Sequence, residues 1–114
     1  MDNIDINITH TSSDKPKLLA LRHGRSTKYY IPYNITEVVE TYEFKYVLVT
    51  PENYNYGGMV DAIIHTKYDS KDVTAILINY VGDPTNEKYK AEFDELQEWR
   101  LFAKMEAREH FGIQ

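Results

Sequence analysis

DPTNEKYKAEFDELQEWRLFAKMEAREH, residues 83–110, decides how this chain is read. It holds no Gly and one Pro, at its second position, and it is expected to form one long amphipathic helix. Asp83 is the expected N-cap, since its carboxylate can accept from the open amides of the first turn. Pro84 suits the first helical position, where a missing N–H costs nothing. Glu87 lies near the positive end of the helix dipole, Lys104 and Arg108 near the negative end. Gly112 is the expected stop. At 100° per residue, Tyr89, Phe93, Leu96, Trp99, Ala103, Ala107 and Phe111 share one stripe, which needs a partner surface because an isolated helix is marginal. Arg100 falls inside the stripe. Its stem is expected to pack while its head reaches water, with an ion pair to Glu43 or Asp72 as the alternative. Leu101, Phe102 and Met105 lie off the stripe and read as a second apolar patch, turned either to the rest of the domain or to another subunit.

The remainder must supply the surface this helix covers. A chain of 114 residues is expected to be one domain, residues 1–114. That length buries roughly two thirds of its unfolded surface, enough for a core without staples. There is no cysteine, which removes disulfides and thiolate chemistry. No apolar run approaches a membrane span, and the opening MDNIDINITH lacks the basic and apolar regions of a secretion signal. Asn7-Ile8-Thr9 and Asn34-Ile35-Thr36 therefore read as strand and turn residues rather than glycan acceptors. The net charge of −5, with no basic run, argues against duplex nucleic acid as a partner.

Upstream the period is two. Asn3 to His10 alternates, with Ile4, Ile6 and Ile8 on one face, and reads as a half-buried strand. Residues 11–16 form a polar turn. Lys17 to His23 is a second strand, Gly24-Arg25 a tight turn, and Thr27 to Ile31 a third strand interrupted at Pro32 to Asn34. Glu37 to Thr50 is the longest β-type run, one strand or two with a break near Glu40 and Thr41. Tyr42, Phe44, Tyr46 and Leu48 share one face; Glu43, Lys45, Val47 and Val49 share the other. After Pro51 the period becomes helical. One helix starts between Asn53 and Gly57, ends near Lys67 and presents Tyr56, Met59, Val60 and Ile63. A second, Ser70 to Val81, is capped by Asp69 or Ser70 and presents Val73, Ile76, Leu77 and Tyr80. Strands first and helices after is the signature of an α+β domain. The expected architecture is an antiparallel β-meander of about four strands, then three helices, the last one long and packed on the sheet.

Leu19 to Thr27, LALRHGRST, carries the most conspicuous motif. Its Arg22-His23-Gly24 resembles the histidine phosphatase and phosphoglycerate mutase signature, which would make His23 a nucleophile and Arg22 and Arg25 phosphate ligands. The context contradicts this, because that family follows its motif with a helix and here KYYIPYN follows. The motif reads instead as a hairpin turn with its charged side chains in water. His10, His23, His65 and His110 have no metal-ligand spacing. For nucleophilic catalysis there is neither Cys nor a GxSxG turn. Carboxylates such as Glu92, Asp94, Glu95 and Glu98 read as a solvated helix face. Gly57-Gly58 reads as a tight loop ahead of an anion cradle. No cofactor is implied.

Ten tyrosines stand out. Tyr29, Tyr30, Tyr33, Tyr42, Tyr46, Tyr54 and Tyr56 cluster in the strands and the loop after them, where Tyr serves both sheet packing and protein contact. In the C-terminal half, Met59-Val60-Asp61-Ala62-Ile63-Ile64, Lys67-Tyr68, Val73-Thr74-Ala75-Ile76, Asn79-Tyr80, Ala91-Glu92-Phe93, Leu96-Gln97-Glu98-Trp99-Arg100 and Ala103-Lys104 resemble small uncharacterised proteins encoded among prophage structural and tail genes of Bacteroides-type gut bacteria. The resemblance implies a phage-associated structural or accessory role and carries no catalytic residue.

The expected function is a non-enzymatic structural or protein-interaction role, with a second copy of the chain or another phage or host protein as partner. Tyr29, Tyr30, Tyr33, Leu101, Phe102 and Met105 are the expected contact residues, and a homo-oligomer is one outcome. The expected location is cytoplasmic, or virion-associated for a phage protein, with no membrane partner. The alternatives are a small phosphohydrolase using His23 and a regulatory module that binds a ligand or peptide.

Overall fold

The computed structural model describes residues 4–113. Four antiparallel strands come first: β1 (His10–Ser12), β2 (Leu19–His23), β3 (Ser26–Val38) and β4 (Thr41–Val49), in the spatial order β1-β4-β3-β2. Three helices follow: α1 (Tyr56–Ile64), α2 (Ser70–Gly82) and α3 (Glu87–Phe111), with one 3₁₀ turn at Pro51–Asn53 before them. This is the expected α+β arrangement of an early sheet and late helices.

The first strand is displaced. Asn3 lies outside the described residues, and residues 4–9 are not strand; β1 begins at His10, the last residue of the expected strand, and continues through Thr11 and Ser12, inside the segment expected to be a polar turn. The cause is local. Asp5 Oδ1 accepts the amide of Asn7 at 2.8 Å, and the His10 ring bonds the carbonyl of Asp5 at 2.7 Å, so the backbone turns instead of extending. Ile4 and Ile6 still pack inward, whereas Ile8 is exposed.

Two tight hairpins build the rest of the sheet. Gly24 and Arg25 join β2 to β3 with Gly24 at φ +64°, and His23 pairs with Ser26. The second hairpin turns at Val39 and Glu40, with Glu40 at φ +62° and Val38 paired with Thr41. Residues 37 and 38 therefore belong to β3, and the long β-type run is two strands. Nor does Pro32 interrupt β3, which continues through it to Val38 with a register shift between Tyr33 and Thr36. Pro32 pairs with Tyr46 of β4, but β2 accompanies β3 only as far as Tyr30, so the missing N–H falls on a bare edge.

Alternation divides the sheet into two faces. Ile31, Tyr33, Val47 and Val49 face the helices and join Met59, Val60, Ile63, Ile64, Ala103 and Ala107 in the main core. Tyr30, Phe44 and Tyr46 form a second cluster on the other face, with Leu19, Leu21, Tyr42, Leu48, Ile4 and Ile6 around them.

The helix boundaries follow their caps. Asn55 caps α1 by accepting from the Gly58 amide, and Asp69 and Asp72 form a reciprocal capping box on α2. The long helix starts later than expected. Asp83 is the C-terminal cap of α2, its N–H donating to the Asn79 carbonyl, and its Oδ1 accepts from Thr85 Oγ1 at 3.1 Å. Asn86 caps α3 in its place, accepting from the Tyr89 amide at 3.1 Å. Gly112 ends α3 at φ +65°, with Ile113 N–H bonding the Arg108 carbonyl and Gly112 N–H that of Glu109, a Schellman closure. Leu96, Ala103 and Ala107 are fully buried along α3, and Trp99, Phe102 and Phe111 pack beside them. The helix lies chiefly against α1 and reaches the sheet at β3; Tyr80 of α2 stacks on Phe93, ring centroids 4.1 Å apart.

Candidate interaction surface

The tyrosines expected at the surface are occupied inside the molecule. Tyr30 is 2% and Tyr33 5% exposed. The Tyr30 hydroxyl bonds His23 Nε2 at 3.2 Å, and the Tyr33 ring meets Phe102 edge-on. Tyr29 is half-buried against Tyr54, centroids 4.9 Å apart. Tyr is common in sheets and in interfaces for the same reason, an apolar ring with a polar tip, so its residue type does not separate the two.

The helix patch divides. Phe102 stacks on Trp99 at 4.9 Å and belongs to the core. Leu101 and Met105 stay in solvent, 60% and 64% exposed. They lie at the centre of a row that also contains Asp94, Glu98 and Arg108, all exposed. The spacing along this row, 94-98-101-105-108, alternates four and three, which is the period of a helix-pairing seam. Asp94 lies 3.9 Å from Lys90, while neither Glu98 nor Arg108 joins an ion pair among the described residues. Acid therefore precedes the apolar pair and base follows it. Ile78 and Val81 give α2 an exposed apolar face of its own, without the flanking charges of the α3 row.

The Arg22-His23-Gly24 segment forms the β2–β3 turn, and β3, not a helix, follows it. Arg22 Nε donates to the Gly24 carbonyl at 3.0 Å, Arg22 and Arg25 are exposed, and His23 is half-buried against Tyr30. The turn is thus held by its own side chains. Arg100 is half-buried and forms no ion pair with Glu43 or Asp72 among the described residues.

A cleft of about 340 Å³ opens where the bare edge of β3 meets the end of α3, between Lys15, Lys17, Tyr33, Glu106, Glu109 and His110. Glu106 accepts the Asn34 amide, which closes one backbone donor of that edge. Burial raises the Glu106 carboxyl above the usual range, the Asn34 bond opposing and Glu109 adding to it. Burial lowers the His110 imidazole; its Nε2 lies 2.9 Å from the Tyr54 hydroxyl. Burial likewise raises the Tyr33 hydroxyl. Among the described residues, no group of three or more His, Cys, Asp and Glu side chains is placed to hold a metal ion, and no helix is long and apolar enough to cross a membrane.

Comparison of the chain with protein-family models, with curated proteins and with solved structures finds no match.

Proposed function

We propose that the protein works through contact, pairing with a second copy of itself along the exposed row of α3. The carrying observation is the self-complementarity of that row. A two-fold axis between Leu101 and Met105 sets Leu101 of one copy against Met105 of the other, and the same axis sets Glu98 against Arg108. Each copy offers the same patch, as an isologous interface requires. Opposite charges flank an apolar centre, which favours the antiparallel register over the parallel one, where Glu98 would meet Glu98 and Arg108 would meet Arg108.

A contact of this length buries on the order of 1,000 Å² in total, the low end of specific interfaces, so weak, concentration-dependent association is expected. A phage-associated assembly role, which the resemblance of the C-terminal half implies, is a setting in which many weak contacts act together. Sedimentation over a wide concentration range tests the reading. A concentration-dependent dimer that Leu101→Glu abolishes supports it, and a strict monomer at millimolar concentration sinks it.

A further inference from the structure

The join between α1 and α2 brings a hydroxyl and an imidazole together beside a cavity. His65 follows the last turn of α1 and Ser70 is the first residue of α2. Ser70 Oγ lies 3.3 Å from His65 Nε2, and His65 Nδ1 lies 2.6 Å from the backbone carbonyl of Asp61. A carbonyl only accepts, so in the neutral ring Nδ1 carries the proton and Nε2 is the acceptor facing the serine. A nucleophile is thus paired with a base, and the base is oriented by a third group.

A cavity of about 360 Å³ opens beside the pair, walled by Ile64, Val73 and Leu77, with Thr74, Asp61 and Arg100 giving it polar edges. The capping of α2 also leaves donors in place. Asp69 takes the amides of Asp72 and Val73, and those of Ser70 and Lys71 have no acceptor in the first turn. The N–H of the residue after a nucleophile at a helix start is a usual oxyanion donor.

The geometry points to Ser70 and His65 as a nucleophile–base pair for hydrolysis of short aliphatic esters, with the acyl chain against Ile64, Val73 and Leu77. Ser70 Oγ bonds to the acyl carbon while its proton passes to His65 Nε2. The ester C–O bond breaks, and Nε2 returns that proton to the departing alcohol oxygen. Water then attacks the acyl carbon as His65 Nε2 takes a proton from it; the bond between that carbon and Ser70 Oγ breaks, Nε2 returns the proton to Oγ, and the acid leaves, giving up its own proton to solvent. This activity is independent of self-association, since it uses residues of one copy.

The test combines a fluorophosphonate probe, read by intact mass and peptide mapping, with turnover of p-nitrophenyl acetate and butyrate. The expected result is one adduct per chain on Ser70. Turnover should fall at least about 100-fold in Ser70→Ala and in His65→Gln. Ser70 is not the cap of α2, so Ser70→Ala keeps the capping box, and circular dichroism verifies the fold. Absence of an adduct, an adduct on another residue, or Ser70→Ala turning over like the parent overturns the assignment.

Discussion

Trp99 donates its indole N–H to the backbone carbonyl of Ile63 at 3.0 Å, fastening the middle of α3 to the last turn of α1. The same ring stacks on Phe102 and lies 5.3 Å beneath the Lys67 ammonium. Three contacts thus converge on one side chain at the helix–helix junction. Trp99→Phe removes the hydrogen bond and part of the ring. Ile63 O keeps the Thr66 amide and hydroxyl as donors, so no carbonyl is orphaned. The expected loss is about 1–2 kcal/mol; Trp99→Ala should cost about 3 kcal/mol or more. Urea unfolding measures both, and a Trp99→Ala protein as stable as its parent would remove Trp99 from the account of how α3 is held.

Two adjacent glycines should behave in opposite ways. A Cβ on Gly58 would come within 1.9 Å of the Asn53 carbonyl oxygen, a backbone atom of the 3₁₀ turn packed against the start of α1. One on Gly57 meets only Asn55 Oδ1, at 3.7 Å. Gly58→Ala must push the turn away from the helix and is expected to cost roughly 3 kcal/mol or more, at the upper end for single substitutions. Gly57→Ala lies in open helix and should stabilise by about 0.5–1 kcal/mol. Melting curves of the two variants decide it: equal shifts would mean that Gly58 is not held by its contact.

The helix faces and the order of the elements were legible because period alone fixes them. Met59, Val60 and Ile63 on α1, and Leu96, Ala103 and Ala107 on α3, are buried as their spacing predicts. Boundaries were less legible where several polar residues compete for one role. Asp83, Thr85 and Asn86 all suit an N-cap, and only the path of the chain shows that Asp83 already closes α2. The β3–β4 turn was legible only as a possible break near Glu40 and Thr41, because Glu40 takes a positive φ without the Gly or Asn that would signal it. Ile4 and Ile6 gave the right face with the wrong backbone, since alternation reports side-chain direction and cannot register the Asp5 turn. In the candidate surface, the spacing 98-101-105-108 was present in the sequence. Which members face solvent was not, because Phe102, one residue from Leu101, turns to Tyr33 and Trp99. The Ser70–His65 pair has no spacing signature, since the join between two helices creates it.

His110 makes the fold sensitive to acid. Burial depresses its imidazole in the folded state, so below its ordinary value of 6.5 the unfolded chain takes up the proton first. Stability from this residue is therefore present above that value and lost as pH falls from it toward the lower folded value. Protonation would also turn Nε2 into a donor and oblige the Tyr54 hydroxyl to accept. Glu106 acts in the opposite direction. Burial raises its carboxyl, so its contribution is greatest in acid and declines as pH rises above its ordinary 4.5. The two effects overlap, and the difference between parent and variant separates them. The melting temperature of His110→Phe should fall less than that of the parent between pH 7 and pH 5. That of Glu106→Gln, which keeps an acceptor for the Asn34 amide, should gain on the parent as pH rises through the same range. Parallel curves for parent and His110→Phe would show that His110 does not titrate with unfolding.

The proposed self-pairing makes a prediction that simple loss of surface charge does not. Glu98→Arg should weaken the dimer by opposing two cations, and Arg108→Glu should weaken it by opposing two carboxylates. Both residues are exposed and outside the ion pairs found among the described residues, so Glu98→Arg should alter the stability of the monomer by no more than about 0.5 kcal/mol, and Arg108→Glu, in the last turn of α3, by about 1 kcal/mol. The double variant restores opposite charges in reversed polarity and should recover association. Raised salt should weaken the parent and the double variant, whose flanking charges attract, and relieve the repulsion in each single variant. An equimolar mixture of the parent and the double variant is the stricter arm. An antiparallel hetero-pair sets Glu98 of the parent against a glutamate at position 108 and Arg108 of the parent against an arginine at position 98, so each protein should pair only with itself. A parallel register sets opposite charges together at both positions, so there the mixture would form hetero-pairs. Association of the mixture that exceeds that of either protein alone would overturn the antiparallel arrangement while leaving the exposed row of α3 as the contact.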